Sequence, residues 1–129
     1  MNLVGKYSWL VDSIHSYKGA VCEWKAEWEA DRFLIANKMF GMLGHNKEGE
    51  EIITLKCRPD QNEEYQNMYS HITPGYYMNK THWISIQLEH SDAPKEFILS
   101  CLKDSYDLVY KALPKKVKIE IEKYPVNDE

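Results

Sequence analysis

The sequence is poor in the features that mark the best-known chemistries. No apolar run approaches the roughly eighteen residues that a membrane-crossing helix needs. The N-terminal stretch MNLVGKYSWLVDSIHSYKG sets Lys6, Asp12 and His15 inside its apolar pattern, where a signal peptide has an unbroken apolar segment. No membrane partner is therefore expected. Only three cysteines occur, Cys22, Cys57 and Cys101, far apart and each among apolar neighbours. They read as small buried hydrophobes rather than a disulfide framework, which points to a reduced, cytoplasmic protein.

Catalytic signatures are missing too. The five histidines form no HExxH pair and no cysteine spacing resembles a zinc site, so no metal is expected. Gly41, Gly44, Gly49 and Gly75 assemble neither GxGxxG nor GxxxxGK[ST], and no GxSxG elbow exists, which leaves a cofactor without support. Acidic residues are plentiful, but nothing pairs two of them across a cleft. The expectation is a non-enzyme.

What is present is an ordinary globular composition, 43% hydrophobic, 12% aromatic and 28% charged over 129 residues, enough for one core and one domain. Leu3, Tyr7, Leu10, Ile14 and Tyr17 recur at helical spacing before Gly19, predicting a helix over 3–18. AVCEWKAEW alternates as a strand does, with Cys22, Trp24, Ala26 and Trp28 on one side. RFLIANKMFGMLG reads as strand, turn at Ala36-Asn37, strand, and IITLKC as a further member of the same antiparallel meander. Pro59 with Asp60, Glu63 and Glu64 starts a helix running to about residue 70.

PGYYMNKTHWISIQL turns at Pro74-Gly75 and returns to strand, giving two more strands. Ser91 or Asp92 can cap a helix whose stripe of Ile98, Cys101, Leu102, Val109 and Leu113 is closed by Pro114. In the tail, Val117, Ile119 and Ile121 alternate with Lys118, Glu120 and Glu122, which predicts an extra edge strand. The expected organisation is one domain over 1–124, with 125–129 as a fraying tail.

The net charge of −4 argues against a generally basic nucleic-acid binder, but charge is unevenly spread. Residues 65–88 contain no Asp, Glu or Arg and only Lys80, while Tyr65, Tyr69, Tyr76, Tyr77 and Trp83 lie in that window. Acids cluster at Glu23, Glu27, Glu29 and Asp31 and again at Glu48, Glu50 and Glu51. KALPKKVK, with Lys111, Lys115, Lys116 and Lys118, has no acid before Glu120.

With NKMFGML at 37–43, ITLKCRPD at 53–60, PGYYMNKTHWISIQL at 74–88 and SYDLVYKALPKK at 105–116, the chain resembles the MmcQ/YjbR family in order and spacing over roughly residues 3–116. The resemblance implies an α+β fold: a two-layer domain with an antiparallel sheet of about five to six strands carrying helices on one side, similar to the frataxin-type (CyaY-like) and secretion-chaperone folds. It also implies the DNA-binding label that members commonly bear, with a proposed pair of wings. Three departures stand out: Ala36-Asn37 replaces the usual Gly-Gly, the Trp24 to Trp28 segment has no close match, and the tail past Lys116 is additional.

Two readings of PGYYMNKTHW follow. In the functional one, Asn79 and Lys80 meet phosphate or base edges while Tyr76, Tyr77, His82 or Trp83 stacks on bases. In the structural one, Pro74-Gly75 turns the chain, Asn79 bonds backbone, and Trp83 is buried against the long C-terminal helix. Lys38, Lys56 and Arg58, from neighbouring strands, would join Lys80 in a weak, salt-dependent, sequence-indifferent DNA contact if they share a face. The alternative is a protein or peptide interaction module, or a homodimer, built on a sheet edge. A small-molecule pocket lined by Trp24, Trp28, Phe40 and Trp83 is a third reading, although four tryptophans in so small a domain are expected to be core.

Overall fold

Three successive hairpins build most of the sheet. In the computed structural model, which describes residues 2–76 and 78–123, helices α1 (Leu3–Lys6) and α2 (Ser8–His15) precede strands β1 (Ala20–Lys25), β2 (Ala30–Ile35), β3 (Lys38–His45) and β4 (Glu51–Lys56). Helix α3 (Pro59–Met68) then leads to β5 (Ile72–Pro74) and β6 (Trp83–Gln87), and the chain closes with α4 (Lys95–Ala112) and α5 (Lys115–Glu122). All pairings are antiparallel, and the strand order is β1-β2-β3-β4-β6-β5. The α+β fold with one six-stranded antiparallel sheet is as the sequence predicts.

Turn chemistry sets the meander. Ala36 and Asn37 both have positive φ, 50° and 63°, the pair of left-handed residues that a two-residue hairpin requires to match strand twist. Strand alternation then sorts side chains by face. Phe33, Ile35, Phe40, Leu43, Ile53, Leu55, Ile84 and Ile86 point to the helices, where Ile98, Cys101, Leu102, Tyr106 and Val109 of α4 meet them. Burying each large side chain of that layer contributes about 1.5–3 kcal/mol. Gly41 is required by that packing, since a Cβ there would lie 2.7 Å from Phe33 and 2.9 Å from Leu55. Ser105 Oγ donates to the Lys56 carbonyl at 2.5 Å and Tyr106 Oη to the Lys18 carbonyl at 2.5 Å, fixing α4 along the sheet. Burial pushes the thiols of Cys22 and Cys57 up to about 11 and that of Cys101 to about 12, as expected of packed hydrophobes.

Several expectations need correction. The predicted 3–18 helix breaks at Tyr7, whose φ and ψ of −113° and 47° leave the helical region while its hydroxyl donates to Glu51 at 2.5 Å. The strand expected to run to Trp28 stops at Lys25, because residues 26–29 turn the chain and Glu29 takes a φ of 49°. Trp24 and Trp28 are 58% and 46% exposed, not core. Neither Ser91 nor Asp92 caps α4. Its N-cap is Pro94, Ser91 Oγ accepts from the Ala93 amide, and Asp92 is spent on Ser70 and His71.

The tail is the largest difference. Residues 115–122 form α5 rather than an edge strand. Val117 and Ile121 sit one helical turn apart, so the same residues that alternate also make a helical stripe, and six residues cannot separate the two periods. Ile121 packs against Gly19, Glu122 pairs with Lys18 at 3.1 Å and accepts from Tyr110 Oη at 2.6 Å, and Ile119 is left outside. Residues 125–129 lie outside the described residues.

Candidate nucleic-acid interface

Antiparallel register places the basic residues. Lys38 opens β3 beside the Ala36-Asn37 turn, and Lys56 ends β4, so the two lie at the same end of the sheet. Lys56 is paired across to Trp83, the first residue of β6, and its Nζ stands 5.7 Å from the Trp83 ring centroid. Arg58 follows two residues later at the start of α3. Lys80 lies in the loop that feeds β6, with Nζ donating to the Gly75 carbonyl at 3.2 Å.

Their charges are not equally available. Arg58 reaches the Asp60 carboxylate through Nε at 3.2 Å, which holds the guanidinium pKa up and the carboxyl pKa down, and half-buried Asp104 adds a second negative neighbour. Among the described residues Lys38, Lys56 and Lys80 have no carboxylate partner. That end of the sheet therefore presents three lysines and one largely neutralised arginine.

The described members of the remaining predicted set, Asn79, His82 and Tyr76, each make local backbone or side-chain contacts. Asn79 Oδ1 accepts from the amides of Thr81 at 2.8 Å and His82 at 3.1 Å, a local turn that occupies the acceptor. The His82 carbonyl accepts from Cys57 N at 2.9 Å, continuing the β4–β6 ladder. Tyr76 is half-buried, its amide donating to Ser85 Oγ at 2.9 Å, and it lines a cavity over the sheet face away from α4. Tyr77 lies outside the described residues. The structural reading of PGYYMNKTHW holds for Asn79 but not for the turn: Pro74 still belongs to β5, opposite Ile84, the Gly75 amide donates to the Trp83 carbonyl at 2.8 Å, and the chain turns only after them.

Trp83 is buried as predicted but on the other face. Alternation with Ile84 and Ile86 turns it away from α4, so it packs with the 75–82 loop, where a Cβ on Gly75 would come within 2.4 Å of its own Cβ. The pocket of Trp24, Trp28, Phe40 and Trp83 that stood as a third reading does not form, because Phe40 belongs to the helix-side core while Trp83 lies on the other face of the sheet. Two separate cavities occur at the opposite end of the sheet. One of about 600 Å³ is lined by Trp28, Met42, Ile52, Tyr76 and Met78 among others, and one of about 510 Å³ by Trp24, Asp31 and their neighbours.

Sequence reasoning missed Asn62, which is 4% exposed on α3 and donates to the carbonyls of Lys80, Thr81 and Trp83 at 2.9, 2.9 and 3.1 Å. A polar residue in a polar helix carries no signal of such a contact. Among the described residues no group of three His, Cys, Asp or Glu side chains could hold a metal ion, and no helix is long and apolar enough to cross a membrane.

Known proteins resemble this chain in sequence and in fold. The YjbR family model matches residues 16–108. The chain is 36% identical to the uncharacterized protein YbdF of Escherichia coli O157:H7 over 93 residues, 72% of this chain and 75% of that one. It is 41% identical to the uncharacterized protein YyaQ of Bacillus subtilis strain 168 over 76 residues, 58% of this chain and 63% of that one. The crystal structure of Deinococcus radiodurans protein DR2400, a DUF419 domain, superposes with a TM-score of 0.77 at 24% identity, covering 88% of this chain and 85% of that one. A Pseudomonas syringae protein superposes with a TM-score of 0.68 at 21% identity, over 84% and 98% of the two chains. The last two likenesses concern the fold. With the family model spanning the meander, α3 and most of α4, the chain belongs to the YjbR family.

Proposed function

We propose that the chain is a non-enzymatic cytoplasmic domain that holds the sugar–phosphate backbone of DNA weakly and without regard to sequence, through Lys38, Lys56 and Lys80. The observation that supports this is that these lysines lie at one end of the sheet and, among the described residues, none is paired with a carboxylate. Arg58 contributes less, being committed to Asp60. Phosphate contacts give affinity and register without reading sequence, and the Asn79 side-chain carbonyl oxygen, an acceptor that base reading could use, is committed to its own turn.

Titration of labelled duplex DNA tests the reading. Neutralising about three phosphates makes log K fall with log salt at a slope near −2.7, so affinity should drop about 40-fold between about 50 and about 200 mM salt. Absence of binding at the lower salt, or binding indifferent to salt, rejects it.

A second reading, self-association through a sheet edge, has one supporting observation. The tail strand that suggested it is a helix, but β1 is an edge strand with Val21 and Trp24 exposed along it. Light scattering over a range of concentrations should then show a dimer that Val21→Lys converts to monomer. A monomer throughout removes it.

A further inference from the structure

Asp31 is a carboxylate with no counterpart. It is 8% exposed, and its alternation with Phe33 and Ile35 points it to the helix side of the sheet, in register with Trp24 on β1 and Leu43 on β3. Among the described residues it has neither a hydrogen bond nor an ion pair. Burial alone raises its pKa, with no cation opposing the shift. Its carboxylate oxygens are not among the fully buried atoms that lack a partner, so they face the open cleft, where a donor can reach a carboxylate already partly desolvated by the sheet.

The surroundings say what that partner would be. Asp31 opens into the cavity of about 510 Å³, shared with Asn2, Leu3, Trp24, Glu29, His45 and Glu51. Glu51 is already compensated: Lys6 Nζ lies 2.9 Å away and Tyr7 Oη donates at 2.5 Å. Glu29 is not, being exposed and unpaired among the described residues. The exposed Trp24 indole forms one wall, and such a ring face attracts cations. The titratable groups facing Asp31 are thus Glu29, Glu51 and His45 around the cleft and Cys22 on β1. The described carboxylates and histidines make no metal-binding group, which leaves N–H donors as the complement.

We propose that this cleft, at the end of the sheet opposite the lysines, binds an organic cation: a primary ammonium or guanidinium head between Asp31 and Glu29, on an aliphatic stem lying against Trp24. The cavity falls within the usual size range of small-molecule sites, roughly 300–1,000 Å³. The same head could be carried by a free amine or by a Lys or Arg side chain of another protein.

Titration of the full chain with 1,4-diaminobutane, and separately with N-acetyl-lysine amide, followed by amide chemical shifts, tests the site. Saturable shifts are expected at residues 24 and 29–31. Asp31→Asn should weaken binding by on the order of tenfold and Trp24→Ala by less, while Glu120→Gln, on α5, leaves it unchanged. A tighter diamine indicates a free amine and a tighter lysine amide indicates a peptide-borne one; either supports the site. No saturable shift up to about 10 mM of either compound, or equal affinity in Asp31→Asn, overturns it. Asp31→Asn should also fold with a higher thermal midpoint at neutral pH, so loss of binding in that variant cannot be assigned to unfolding.

Discussion

Asn62 on α3 donates its side-chain amide to the backbone carbonyl of Trp83 at 3.1 Å, and to those of Lys80 and Thr81 on the way into β6. One buried amide thereby ties the loop bearing Lys80 to the helix that begins at Pro59. Removing it takes a shared donor from three carbonyls, two of them part-buried and the third, on Trp83, left with the Gly75 amide at 2.8 Å. Asn62→Ala should cost about 1–3 kcal/mol in urea denaturation. Asn62→Asp should cost more, because it turns a donor into a charge facing carbonyl oxygens.

Trp83 and Gly75 are packed Cβ to backbone. Trp83→Ala should destabilise by about 3–5 kcal/mol, the cost of deleting a buried aromatic. Gly75→Ala should also destabilise, since its new Cβ would sit 2.4 Å from the Trp83 Cβ and 3.0 Å from the Trp83 carbonyl carbon. A thermal midpoint for Gly75→Ala equal to that of the parent would contradict this packing.

The β2–β3 hairpin carries a removable strain. Ala36 holds a φ of 50°, which costs an L-residue with a Cβ roughly 1–2 kcal/mol. Ala36→Gly relieves that cost but adds unfolded-chain entropy. The net expectation is a gain of up to about 1 kcal/mol, read as a small rise in melting temperature. A fall would mean that the turn does not use the left-handed region.

Acid should weaken the β5–α4 junction through Asp92. Desolvation works against its ionised form, but hydrogen bonds from His71 Nδ1 at 2.9 Å, from the Ser70 amide at 2.9 Å and from the Ser70 hydroxyl at 3.0 Å outweigh it and bring its pKa to about 2. A carboxyl depressed on folding stabilises above its unfolded value, near 4, and that contribution is lost as pH falls toward 2. The urea midpoint should therefore decline over that window, and less steeply in Asp92→Asn. Equal slopes would show that the pairing is absent in solution.

The closing helix should prove structural. Ile121 is buried against Gly19, so Ile121→Ala should cost about 2–5 kcal/mol, whereas Ile119→Ala, on the exposed side, should be near neutral. If residues 117–122 formed an edge strand, Ile119 and Ile121 would share a face and the two substitutions would cost alike.

Much of the fold is legible locally. The period-two runs of β2, β3 and β4, the Ala36-Asn37 turn, the Pro59 start of α3 and the stripe of α4 each depend on residues within a few positions of one another, so the chain declares them before it folds. The basic end of the sheet was legible only as a condition. Lys38, Lys56, Arg58 and Lys80 could be named, but their availability depends on Asp60, Asp104 and the Gly75 carbonyl.

What the sequence alone determined is therefore the α+β class, the antiparallel meander and the helices that begin near Pro59 and Pro94, because hydrophobic period and turn geometry are properties of short segments. Tertiary structure decided the rest: that residues 115–122 coil against Gly19, that Trp83 turns from the helices while Trp24 and Trp28 face water, and that Asp31 has no cation paired to it among the described residues. Burial and charge pairing are settled by neighbours distant in the chain. Only the assembled sheet brings those neighbours within the few ångströms over which desolvation and Coulomb forces act.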